Sequence, residues 1–205
     1  MGALNSVEVE AFRACVAEGG VALFPADTVY GLATGPESRD GVRRLYELKG
    51  RPPSRPAAVM FFELDGALAI LAELGARTRA ALKRLLPGPV TLVLPNPLGR
   101  YPLACGPRPD RLGVRVPQLI GALEPLGAIR LAVLQSSANP SGGADPCRLE
   151  DVDPRVRAGV DVQLDAGELP GTPSTVVDLA SYDEDGCFEV LREGALPAAE
   201  IAAQL

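Results

Sequence analysis

"RLAVLQSSANPSGG", residues 130–143, changes character halfway along. The apolar run RLAVLQSS (130–137) reads as a buried strand, and it passes directly into ANPSGG. Two hydroxyls, the Asn139 amide and a set of small residues therefore stand where a strand ends. In α/β sheets, ligands bind outside the carboxyl ends of strands, and small residues let a backbone come close to a phosphate. The same letters also suit an ordinary Asn-Pro, Ser-Gly turn, so the neighbouring elements must decide.

Working outward, apolar strands and helical periodicities alternate along the whole chain. Val9, Phe12 and Val16 are spaced for a helix over 6–18, with Asn5 as its cap and Glu8 three residues on. VALFP (21–25) reads as a buried strand, and ADTVYGL as the loop after it. SRDGVRRLYELK (38–49) reads as a second helix despite Gly41. Strands are expected at AAVMFF (57–62), VTLVLP (90–95) and LGVRVP (112–117), one or two helices at 65–86, a loop at 95–110, and helix at 118–127. Further strands at 160–164, 174–179 and 187–191 and a helix at 197–204 complete the pattern. This predicts an α/β class: one domain over 1–205, built on a twisted, mixed and largely parallel sheet with flanking helices.

Composition narrows the chemistry. The chain has no histidine, which excludes Ser-His-Asp and Cys-His catalysis and every histidine-containing metal site. Cys15, Cys105, Cys147 and Cys187 are far apart and form no C-x-x-C pair, so no disulfide scaffold, zinc site or other protein metal site is expected. Reduced thiols and a cytoplasmic location are expected. Glu63, Asp65 and Glu73 interrupt the most apolar region, which predicts no membrane span. The N-terminus lacks a signal-peptide pattern. MGALNS fits a loose myristoylation pattern at Gly2, though the cap at Asn5 explains the same residues.

A formal charge of −6 argues against a general nucleic-acid coat, yet LKGRPPSRP (48–56) sets Lys49, Arg51 and Arg55 among three prolines. Proline stiffens such a loop. Cations fixed in this way suit a phosphate or carboxylate, guanidinium in a forked geometry, although Lys49 and Arg51 would also serve a solvated helix C-terminus. No P-loop or G-x-G-x-x-G is present. Arg115 interrupts an apolar strand, which requires a polar cavity and a partner. Ser174 and Thr175 open the strand PSTVVDL, and Arg192 ends the last strand in LREGAL.

Taken in order, FPADTVYGL, ELKGRP, PGPVTLVL, GVRVP, SSANPSG, STVVDL and LREGAL resemble the YrdC/Sua5 family over roughly residues 8–197. The chain resembles the short, single-domain form of the L-threonylcarbamoyl-adenylate synthases, which supply the precursor of N6-threonylcarbamoyladenosine in tRNA. The resemblance implies a concave, positive cavity in which L-threonine, bicarbonate and ATP, with Mg2+ carried by the ATP, give threonylcarbamoyl-AMP and pyrophosphate. It implies Lys49 and Arg51 as the catalytic pair on phosphate or bicarbonate oxygens, with Arg55 near the triphosphate. Ser137, Asn139 and Arg192 would touch the nucleotide, and Thr28, Arg115 and Ser174 the threonine, Arg115 through its carboxylate. The product would pass to the tRNA threonylcarbamoyl transferase complex, and contact with tRNA or double-stranded RNA stays open.

Three departures touch that pattern: PADT replaces the common PTET, Met60 stands where longer relatives often have histidine, and LREG replaces LRPG, setting Glu193 beside Arg192. Two other readings compete. One is an RNA-binding or ribosome-associated module using Arg39, Arg43, Arg44, Lys49, Arg51 and Arg55, although 4% aromatic residues offer few stacking platforms. The other is a carbamoyl-adenylate enzyme with a different acceptor.

Overall fold

In the computed structural model, which describes residues 3–205, Asn5 caps helix α1 (Ser6–Ala17). Its side-chain oxygen accepts from the N–H groups of Val7 and Glu8, and the Glu8 carboxylate accepts from the Asn5 N–H at 2.8 Å. The anticipated capping box is thus formed. Gly2, the residue of the lipidation pattern, lies outside the described residues.

The chain continues through β1 (Ala22–Pro25), β2 (Tyr30–Thr34), α2 (Arg39–Lys49), β3 (Ala58–Met60), α3 (Leu64–Ile70), α4 (Ala76–Leu85) and β4 (Val90–Pro95). A short α5 (Pro102–Cys105), β5 (Arg111–Arg115), a 3-10 segment (Gly121–Ala128), β6 (Val133–Ser137), α6 (Pro154–Ala158) and β7 (Val162–Gln163) follow. The remainder is β8 (Thr175–Asp178), α7 (Tyr182–Asp185), β9 (Glu189–Arg192) and α8 (Ala198–Gln204).

Two expectations fail for identifiable reasons. ADTVYGL is not all loop, because Tyr30–Thr34 folds back antiparallel on β1 with Pro25 opposite Tyr30. Tyr30 and Leu32 face the main core while Gly31 and Ala33 fill the other side, so an alternation with small partners escaped the apolar pattern. The segment expected to be helix at 118–127 is 3-10 and contains Pro125, which lacks the N–H an α-helix needs. Gly41, by contrast, sits inside α2 for a packing reason. A Cβ there would come within 2.1 Å of the Thr34 hydroxyl and 2.6 Å of the Gly19 carbonyl.

All nine described strands join one sheet in the order β7-β1-β2-β6-β3-β5-β4-β8-β9. It is mixed, as expected, but the parallel share is smaller than the reading of a largely parallel sheet. Three neighbouring pairs are parallel (β1·β7, β3·β5 and β4·β8) and five are antiparallel. The β1–β2 hairpin and the antiparallel insertion of β6 between β2 and β3 account for much of this.

One face of the sheet presents Leu23, Leu32, Val59, Leu92, Val114, Leu134 and Val177 to the main core, which also holds Leu45 of α2, Leu71 after α3 and Leu82 of α4. The opposite face is covered only in part. There Phe24, Ala33, Met60 and Val133 pack under Phe12 and Val16 of α1 and Leu126 of the 3-10 segment, and the Phe12 and Phe24 rings lie 5.2 Å apart. Burying each such aromatic contributes about 2–3 kcal/mol. Beyond this second core, the same face stays open, and the functional residues stand there.

Candidate active site

Strand β5 shows how the site is made. In RLGVR, Leu112 and Val114 are buried in the main core, whereas Arg111, Gly113 and Arg115 line the open face. The period of two along a strand produces that division. On β4, Thr91 and Val93 lie on the same face, and their β8 partners Val176 and Asp178 extend it. The result is a cleft of about 520 Å³, of ordinary size for a small-molecule site.

Five arginines line the cleft (Arg51, Arg108, Arg111, Arg115 and Arg192), against two carboxylates, Asp178 and Glu189. Asp178 is already paired with Arg111. The Nε–H groups of Arg51, Arg111 and Arg115 are buried with no hydrogen-bond partner. A buried donor left unpaired costs about 1–3 kcal/mol, and three such groups stand among the five arginines of this one cleft. Burial holds the Arg192 guanidinium below its ordinary pKa against the pull of Asp145, with a smaller push from Arg115.

Arg51, Arg115, Ser137, Ser174 and Arg192 of the sequence-predicted set are brought together on the cleft. Arg115 donates from one nitrogen to Thr28 Oγ1 at 2.6 Å and to the Asp27 carboxylate. Thr28 is 1% exposed and sits behind that guanidinium rather than on the cleft wall. Ser174 Oγ lies 3.0 Å from Thr91 Oγ1, and Arg192 donates to the Ser174 carbonyl at 2.6 Å. A β-bulge makes the last contact: Val177 pairs with Val190 but Val176 with Arg192, so Leu191 is an extra residue in β9. Bulges re-aim side chains in this way beside active sites.

Lys49 has a different environment from that of a solvated helix end. As expected it is the last residue of α2, but it is buried rather than solvated. Its ammonium donates to the Ser137 carbonyl, to the Asn139 carbonyl at 2.6 Å and to Asn139 Oδ1 at 3.2 Å. Asn139 in turn donates to the Gly143 carbonyl at 2.6 Å and accepts from the Ser137 hydroxyl at 2.5 Å. Lys49, expected at phosphate or bicarbonate, and Asn139, expected at the nucleotide, thus form the framework of the SSANPSGG loop. Burial, then repulsion from Arg51, brings the Lys49 pKa down to about 8. Arg55 stands outside the cleft, with its guanidinium 3.3 Å from Ser141 Oγ.

Of the cationic cluster considered for RNA, Arg39 and Arg55 are exposed and make no ion pair among the described residues, while three others are engaged within the protein. Arg43 pairs with Asp40 and Glu47, Arg44 with Asp161, and Lys49 is internal. Glu193 is turned away from Arg192, its carboxylate accepting from the Ala198 N–H of α8 at 3.0 Å. The sequence reading missed Arg108, Arg111, Thr91 and Gln135. The alternation in RLGVR carried the signal for Arg111. Among the described residues, no group of three or more His, Cys, Asp or Glu side chains could hold a metal ion, and no described helix is long and apolar enough to cross a membrane.

A family model for Sua5, YciO and YrdC proteins, described as "Telomere recombination", matches residues 14–194. The chain belongs to the Sua5/YciO/YrdC family. Within it, the chain is 31% identical to the threonylcarbamoyl-AMP synthase of Pyrococcus abyssi, over 91% of this chain and 54% of that protein. It is 34% identical to the human threonylcarbamoyl-AMP synthase, over 90% of this chain and 67% of that one. The solved structure of P. abyssi Sua5 complexed with L-threonine superposes with a TM-score of 0.86 at 28% identity, covering 98% of this chain and 58% of that chain. The chain spans little more than half the length of the Pyrococcus proteins it matches.

Proposed function

We propose that this Sua5/YciO/YrdC-family chain is a threonylcarbamoyl-AMP synthase of the cytoplasm, condensing L-threonine, bicarbonate and ATP for tRNA modification. The observation that carries the reading is the cleft of five arginines in which three guanidinium Nε–H groups lack partners. Such a wall suits a substrate set composed of a carboxylate, a bicarbonate and a triphosphate. The names of the relatives and the threonine bound to the Pyrococcus neighbour support the choice of acceptor.

The chemistry fits a chain without histidine. The neutral threonine amine bonds to the carbon of bicarbonate, water leaves, and an N-carboxylate results. One of its oxygens attacks the α-phosphorus of ATP, the bond to the β-phosphate oxygen breaks, and pyrophosphate departs with its charge. No enzyme nucleophile is consumed. The protein orients the reactants and neutralises charge. Arg115, held by Asp27 and Thr28, would take the threonine carboxylate, with Ser174 beside it. Arg51 and Arg192 would meet the phosphates, Ser137 would contact the nucleotide, and Lys49 and Asn139 would keep the SSANPSGG loop in shape. Arg55 would approach the triphosphate from outside the cleft. Mg2+ would enter with ATP, and the adenylate would leave for the tRNA threonylcarbamoyl transferase machinery.

Mass spectrometry of the product from ATP, bicarbonate and threonine tests this directly. A mass matching threonylcarbamoyl-AMP, absent when threonine is omitted, is the expected result. Pyrophosphate release that ignores threonine would instead select a carbamoyl-adenylate enzyme with another acceptor, a reading that Met60, opposite Arg115 in the β3–β5 pairing, keeps specific.

A further inference from the structure

The middle of the cleft differs from its ends. Gly113 lies on β5 between Arg111 and Arg115, with each arginine two residues, about 7 Å, along the strand. Its neighbour across the sheet is Ala58, and the next strand in the same row contributes Gln135. Gly31 of β2 completes this floor, and an added Cβ there would lie 3.7 Å from Gln135 Oε1. Apart from Gln135, the floor therefore consists of backbone and one methyl group, flat and uncharged between cationic ends. Val93, Val176 and the half-exposed Leu191 provide apolar walls.

Gln135 is the one long polar side chain in this floor. It is 8% exposed, and its carboxamide makes no hydrogen bond among the described residues while lining the cleft. The carboxamide therefore offers two donors and an acceptor to whatever enters the cleft. The complementary partner presents a donor beside an acceptor on the edge of a flat group. The 6-amino edge of adenine, with its adjacent ring nitrogen, has that pattern, and glutamine pairs with it through two hydrogen bonds. Phosphates and carboxylates present only acceptors and belong with the arginines.

We infer that Gln135 is a specificity-determining residue that reads the 6-amino edge of an adenine laid over Gly31, Ala58 and Gly113, an inference that rests on the adenylating reading above. The test is a thermodynamic cycle in direct binding, combining Gln135→Ala with replacement of ATP by purine riboside triphosphate, which lacks the 6-amino group. In the wild type the analogue should bind about tenfold more weakly than ATP. Gln135→Ala should bind ATP about tenfold more weakly and lose little more with the analogue, while the threonine KM stays within about twofold. Gln135→Met keeps the volume and should give the same pattern if the alanine variant folds poorly.

An equal loss with the analogue in both proteins would overturn the inference, as would a threonine KM that moves while ATP affinity does not. Failure of the wild type to bind ATP at all would overturn the adenylating reading as well. ATP binding without discrimination by the 6-amino group would overturn only the role of Gln135.

Discussion

Arg115 and Asp27 form an ion pair in which the two side chains are only 5% and 6% exposed. The second Asp27 oxygen accepts from the Gln118 N–H at 2.9 Å, and Thr28 shares the guanidinium nitrogen that serves Asp27. Asp27 is therefore committed on both oxygens, which makes it the positioner of Arg115 rather than a free base. The aspartate of PADT, one carbon shorter than the common glutamate, still completes that contact.

Removing one partner of a buried pair leaves the other charge desolvated and uncompensated. Asp27→Ala is thus expected to lower stability by about 3 kcal/mol, read as a fall in denaturant midpoint. Asp27→Asn should raise the threonine KM more than the ATP KM, because the guanidinium loses its anchor but stays in place. Wild-type stability in Asp27→Ala would show that the pair carries no such load.

Arg51 stands at the junction of the stiffened loop and the cleft. Its guanidinium lies 5.6 Å from the Tyr46 ring and donates to the Pro56 carbonyl, while its Nε–H is unpaired. Arg51→Ala should cost about 1.5–3 kcal/mol in transition-state binding, roughly ten- to a hundredfold in kcat/KM for ATP. Arg51→Lys should recover only part, because an ammonium lacks the planar fork. Unchanged kcat/KM in both variants would remove Arg51 from the phosphate site.

Much of this was legible in the sequence where local chemistry speaks alone. Asn5 and Glu8 announce a capping box, and Arg115 in an apolar strand announces a cavity. Lys49 was harder. Its type and its place before Gly50 fit a solvated helix end equally well, and its burial arises only because β6 returns from almost ninety residues away to set its loop against α2. Arg111 and Gln135 needed sheet order, since a strand's alternation says which residues share a face but not which face stays open. The strand at Tyr30–Thr34 was hidden by Gly31 and Ala33, of which Gly31 keeps room on the cleft and Ala33 fits under the second core.

Glu193 offers a test of the opposite kind. It stands next to Arg192 in sequence, yet its carboxylate serves the Ala198 N–H at the start of α8. Glu193→Ala should cost under about 1 kcal/mol, the scale of an exposed helix-start contact. The KM values for ATP and threonine should stay within about twofold of wild type. A large kinetic change would mean that its charge is felt in the cleft after all.

The pH dependence follows from Lys49 and from the substrate. Below about pH 8 the buried ammonium keeps its charge and fills three acceptors on the SSANPSGG loop. In the unfolded chain, lysine keeps its proton to about pH 10.4. Between those values the unfolded state binds more protons, so this group's contribution to stability rises with pH as the burial penalty is relieved. The loop experiences the opposite effect, because a neutral amine has two donors for three acceptors. Threonine's amine must be neutral to capture bicarbonate, and because it is protonated at neutrality, activity gains a rising limb on the alkaline side. Activity should therefore climb with pH, peak near pH 8 and decline above it, even as the wild type gains stability relative to Lys49→Met. Asp27→Asn should leave the rising limb in place, since the titrating amine is the substrate's. Lys49→Arg keeps its charge throughout and should lose the falling limb while retaining the rising one, as read in kcat/KM for threonine from pH 6 to 10. A falling limb of the same midpoint in Lys49→Arg would assign the decline to another group and leave Lys49 without a part in it.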